Sequence, residues 1–163
     1  MPATAFDQGF TSTAALDDGI RAYHAGNFAL ALKEFSASAR AGDPVGKHLL
    51  ASLYYQGHGV SHDVQKAVEL FSEAAEAGYP PSLANLALMY ANGDGVVRNE
   101  KKALHYRMRA AEAGDLQSQF NLGQAYRKGE GVPGDQVKAA FWYRKAAEAG
   151  WVPAQNELGL LYA

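Results

Sequence analysis

The sequence predicts an all-α solenoid, a row of stacked two-helix units, and three observations carry that prediction. The pentapeptide AAEAG stands at 74–78, 110–114 and 146–150, each copy 36 residues after the last. The turns GHGV (57–60), GDGV (93–96) and GEGV (129–132) keep the same spacing, as do Tyr54, Tyr90, Tyr126 and Tyr162. Apolar positions inside each period recur at helical intervals. Self-similarity at a fixed period of this size marks an array in which each unit buries its apolar face against its neighbours.

Taken in order, residues 1–15 form an N-terminal segment, and 16–163 a single solenoid with units at about 16–43, 44–79, 80–115 and 116–151 and a half unit at 152–163. In the first unit, Ala31, Phe35 and Gly42 lie 36 residues before Ala67, Phe71 and Gly78, whereas Tyr23 stands only 19 before its glycine against 24 elsewhere. Five residues of its inter-helix loop are therefore expected to be absent. The later units open with one apolar stripe at i, i+3, i+4: Leu50, Leu53, Tyr54, then Leu86, Met89, Tyr90, then Leu122, Ala125, Tyr126. Their second helices carry Ala67, Leu70, Phe71, Ala74 and Ala75, echoed by Ala139, Trp142, Tyr143, Ala146 and Ala147. Alanines let helices approach and aromatics fill the remaining space. Arg107 stands where the neighbouring units have Phe71 and Tyr143, which predicts a looser or locally polar interface there.

The boundaries follow from local chemistry. Asp63, Asn99 and Asp135 suit the N-cap of each second helix. Gly78, Gly114 and Gly150 suit the left-handed residue that ends it, and Pro81 and Pro153 fall where a helix begins without needing their missing N–H.

Composition narrows the function classes. The chain has 163 residues, 48% of them hydrophobic, with 15 basic and 17 acidic side chains and a net charge of −2, which gives no general reason to expect a nucleic-acid or membrane partner. No cysteine is present, so disulfides, thiolate metal sites and a cysteine nucleophile are excluded. The opening MPATAFDQGFTSTAA has neither a basic start nor an apolar run, which predicts a cytoplasmic protein, or a periplasmic or secreted one where the native signal is missing from the sequence.

Motifs with a chemical look do not hold up as sites. GEGVPG (129–134) spells a dinucleotide fingerprint, but a helix rather than a strand precedes it, and the parallel loops lack the third glycine. YANGDGVVRNEK (90–101) imitates a calcium loop, yet Tyr90 and Lys101 stand where carboxylates are required. His58, His62 and Asp63 have the spacing of a zinc pair and a cap, one ligand short of a site. No metalloprotease, serine-hydrolase or phosphate-loop motif appears, and Glu76, Glu112 and Glu148 recur with the repeat, as structural residues do. No cofactor, no metal and no catalysis are expected.

The stretch NLGQAYRKGEGVPGDQVKAAFWYRKAAEAG (121–150) closely resembles the Sel-one-like repeat (SLR), a member of the tetratricopeptide superfamily, and copies near 44 and 80 match nearly as well. The resemblance extends over about residues 16–163 and implies a right-handed α/α superhelix whose concave face binds other proteins, as a non-catalytic adaptor or scaffold. The alternative, suggested by the family's cysteine-rich branch, is a small-molecule or cell-wall-fragment binder with or without hydrolytic activity. Where unit four has Leu122-Gly123, the two before it have Leu50-Ala51 and Leu86-Ala87, a change expected only to widen helix packing.

Alignment with tetratricopeptide-like arrays places first helices along the concave surface. The resemblance then assigns partner contacts to His48, Ser52, Tyr55 and Gln56, to Leu88 and Asn92 with Ala84 and Ala91, and to Phe120, Gln124, Arg127 and Lys128, with Asn156 and Leu160 beyond. Tyr55 and Phe120 would anchor a peptide, and Arg127 and Lys128 would meet its acidic group or C-terminal carboxylate. The partner is expected to be another protein or peptide. At the far end Leu158, Leu161 and Tyr162 are expected to be partly uncovered, which leaves open a fragment of a longer array, a self-capping last helix, or a homodimer through that end.

Overall fold

The computed structural model describes residues 13–162; most of the segment assigned to 1–15 lies outside them. Those residues form nine helices: α1 (Ala14–His24), α2 (Phe28–Arg40), α3 (Pro44–Gln56), α4 (Val64–Glu76), α5 (Pro80–Asn92), α6 (Glu100–Glu112), α7 (Leu116–Lys128), α8 (Gln136–Glu148) and α9 (Val152–Leu161). Successive helices pack on one another, α1 with α2, α3 with α4 and α7 with α8. The chain divides into two compact units between Ser82 and Leu83.

Caps form where the sequence places them. The side chains of Asp63, Asn99 and Asp135 accept hydrogen bonds from the backbone N–H of Lys66, Lys102 and Lys138 at 2.9, 3.0 and 3.0 Å. Gly78, Gly114 and Gly150 take φ of 82°, 98° and 88°, a left-handed conformation that costs other residues more than glycine.

In the first unit the core holds Phe35, Leu53, Phe71 and the alanines Ala31, Ala51, Ala67 and Ala74. In the second, Leu122, Tyr126, Trp142, Tyr143, Ala146 and Ala154 form one cluster, with Leu104, Met108, Phe120 and Trp151 packed against it. The register alanines Ala31, Ala67, Ala103 and Ala139 are all buried, which is what lets each second helix sit close to its partner. Between α6 and α7, the Gln119 side chain donates to the carbonyl of Ala111 at 3.0 Å, and Gln155 repeats the bond to Ala147 at 3.1 Å between α8 and α9.

Two expectations require correction. The loop joining α1 to α2 is residues 25–27 and that joining α3 to α4 is 57–63, so the first is four residues shorter, not five. The register shifts because Gly19 lies under Phe35 as Gly123 lies under Tyr143, which puts the buried Ala22 where later units have their tyrosine and leaves Tyr23 half-buried. The glycine at 123 also does more than narrow the packing. A Cβ there would come within 2.5 Å of the Tyr143 ring, so the glycine and the aromatic fit as a pair.

Candidate protein-binding surface

First helices carry three outward registers, at 52/88/124 and, one turn on, at the adjacent 55/91/127 and 56/92/128, and each of these side chains is half-buried or exposed. In the first compact unit, Tyr55 is 39% exposed with its ring 6.3 Å from that of His62. Gln56 accepts a hydrogen bond from the Tyr23 hydroxyl at 3.0 Å, and Ser52 donates back to the carbonyl of His48 at 3.0 Å. In the second compact unit, Leu88 is 54% exposed and Asn92 is exposed one turn on.

His48 and Phe120 turn the other way. The His48 Nδ1 lies 2.8 Å from the Ser82 hydroxyl, and its ring sits 5.2 Å from both Phe71 and Tyr79. Burial pulls its pKa down to about 4, so the imidazole is neutral at neutral pH. Phe120, in the same register, packs on the core with its ring 5.7 Å from Tyr143. Both lie three residues before the small residues Ala51 and Gly123 and so share their inward face. Both are half-buried, so each touches the core and keeps part of its side chain at the surface.

At the basic end Arg127 approaches Glu157 at 3.7 Å and Lys128 approaches Glu130 at 3.9 Å, so each has an acidic neighbour. Beneath Arg127, burial of the Tyr143 phenol and the nearby Glu157 carboxylate raise its pKa, with Arg127 opposing them. Gln124 lines an opening of about 500 Å³ between α6 and α7, together with Lys101, Leu104, Arg107 and Asn121. Sequence reasoning did not place Lys101 or Arg107 at a site, although the arginine in an aromatic register was the available signal.

No three histidine, cysteine or acidic side chains come together as a metal-ligand group among the described residues. His58 instead stacks on Phe28 with ring centroids 4.4 Å apart and planes 16° from parallel. No described helix is long and apolar enough to cross a membrane.

The family model of the Sel1 repeat matches residues 44–79, 80–115 and 116–151. The chain belongs to the Sel1 repeat family. Among solved structures, a Sel1 repeat protein from Oxalobacter formigenes is 30% identical with a TM-score of 0.82, over 88% of this chain and 59% of that one. A protective antigen of uropathogenic Escherichia coli with an SLR fold is 36% identical with a TM-score of 0.70, over 83% of this chain and 29% of that one. This Sel1 repeat chain therefore spans about three fifths of the first relative and under a third of the second. Cysteine-rich protein B of Helicobacter pylori shares the fold at 22% identity and a TM-score of 0.62, over 90% of this chain and 98% of that one. No curated protein matches. The Sel1 repeats are all-helical, packed in sequential pairs as in the solved SLR solenoids.

Proposed function

We propose that this Sel1 repeat chain is a non-catalytic adaptor or scaffold that holds a partner protein through the outward registers of its first helices. The observation that carries the reading is the division of labour along each first helix. Side chains that recur every 36 residues pack or cap, while the outward registers change from unit to unit: Ser52, Leu88 and Gln124, then Tyr55, Ala91 and Arg127, then Gln56, Asn92 and Lys128. The registers include an exposed tyrosine in one compact unit and an exposed leucine and two basic side chains in the other, apolar and charged groups of the kind that anchor a partner.

The alternative of a small-molecule or cell-wall-fragment binder has as its support a fold likeness to a cysteine-rich protein, and this chain has no cysteine. Affinity capture from native extract compares wild type with a Tyr55→Ala, Leu88→Lys double variant of unchanged helical circular dichroism. A protein retained by wild type and lost by the variant supports the adaptor reading. Saturable thermal stabilisation or turnover with cell-wall fragments, and no retained protein, would replace it.

A further inference from the structure

Arg107 occupies the register of Phe35, Phe71 and Tyr143, which are 1%, 2% and 0% exposed, yet it is itself only half-buried. Its side chain lines the opening between α6 and α7 instead of plugging the core. The equivalent cleft between α8 and α9 presents Val137 where this one presents Lys101, and the arginine that lines it, Arg144, donates to the Tyr162 hydroxyl.

The charges do not cancel. Glu100 and Glu130 also border the opening, but Glu100 accepts from Arg98 at 2.6 Å and Glu130 lies 3.9 Å from Lys128. Lys101 and Arg107 make no ion pair among the described residues, so two cations stand in excess. Asn121 accepts from the Gln117 side chain at 3.0 Å through its carbonyl oxygen, which leaves its amide hydrogens for a ligand. Leu104 and Ala125 supply an apolar wall.

From this arrangement we infer that the α6–α7 opening is a carboxylate-binding pocket that takes a glutamate or aspartate side chain of a partner peptide, with an apolar neighbour against Leu104 and Ala125. Arg107 offers a planar two-donor fork, the geometry a carboxylate matches, and Lys101 adds a point charge. The two acidic side chains on the border disfavour a doubly charged phosphate more than a singly charged carboxylate. An opening of about 500 Å³ exceeds the room one carboxylate needs, which favours a peptide segment. The assignment rests on the protein-interaction reading above and gives it a ligand chemistry.

Fluorescence anisotropy tests it with acetylated, amidated, fluorescein-labelled hexapeptides containing a Leu-Glu step, alongside Leu-Gln and Leu-phosphoserine counterparts. Wild type binds the glutamate peptide at least about tenfold more tightly than the glutamine one, the loss of one charge-assisted contact. Arg107→Tyr restores the aromatic of the neighbouring repeats and so keeps the fold; it loses this binding by about tenfold or more, as does Lys101→Gln, while Lys33→Gln on α2 leaves it unchanged. Equal binding of glutamate and glutamine peptides, no binding of either, unaltered binding by Arg107→Tyr, or tighter binding of the phosphoserine peptide would each overturn the pocket. Partner capture that is lost with the Tyr55, Leu88 variant but kept by Arg107→Tyr would remove the pocket and leave the adaptor reading standing.

Discussion

Tyr143 lies against Gly123 so closely that a Cβ on the glycine would meet its ring carbons at 2.5 and 2.6 Å. The ring has no room to retreat, being fully buried and backed by Phe120. Gly123→Ala, although alanine stands at the same register in Ala51 and Ala87, therefore destabilises the fold by about 1–3 kcal/mol, the usual penalty of overpacking. Urea unfolding measures it, and a loss smaller than the error of the fit would show that the ring moves aside.

Arg107→Tyr acts in the opposite direction. Replacing a half-buried arginine by the aromatic that fills this register elsewhere adds buried apolar area, and the melting temperature is expected to rise by several degrees. A fall would mean that the α6 flank cannot accept a ring.

At the head of α8, the Asp135 side chain accepts from the N–H groups of both Val137 and Lys138 at 3.0 Å. Asp135→Ala leaves both donors to water and costs about 0.5–2 kcal/mol. Asp135→Asn keeps an acceptor and costs less, a difference that the same unfolding measurement resolves.

His48 gives the fold a pH dependence of predictable sign. Its folded pKa of about 4 lies below the ordinary 6.5, so the unfolded chain binds the extra proton between those values. The stability this group contributes is present above pH 6.5 and is lost as pH falls toward 4, on the order of 3 kcal/mol in full. His48→Gln, which keeps a polar partner for Ser82, should flatten that part of the profile relative to wild type, as read by unfolding at a series of pH values.

Around α8 and α9, Val137, Phe141, Leu160 and Tyr162 are all exposed, with Tyr162 hydrogen-bonded to Arg144 at 2.5 Å. If the homodimer through this end forms, light scattering shows mass rising with concentration, and Phe141→Glu returns the chain to monomer. A constant monomer mass for wild type would remove that expectation.

The period made most of the fold legible in the sequence. Ala67, Ala103 and Ala139 are buried, and Asp63, Asn99 and Asp135 cap, because residues that recur in phase answer to the same neighbours in each unit. Reading fell short where phase alone decides between two faces. His48 and Phe120 vary from unit to unit as surface residues do, yet their three-residue spacing from Ala51 and Gly123 also sets them against core rings. It also failed where charge depends on a distant partner: Glu157, thirty residues from Arg127, offsets a cation that the sequence leaves unpaired. The Tyr23 register needed the position of Gly19 beneath Phe35, which a gapped alignment does not fix.

The central claim, that the outward registers of the first helices meet a partner, is tested most directly by photo-crosslinking in native cells. A photoreactive phenylalanine analogue is placed at position 88, outward on α5, and separately at position 76, exposed on the second helix α4. The account predicts a discrete crosslinked protein from position 88 and none from position 76. A partner captured from 76 alone, or none from 88, would contradict it.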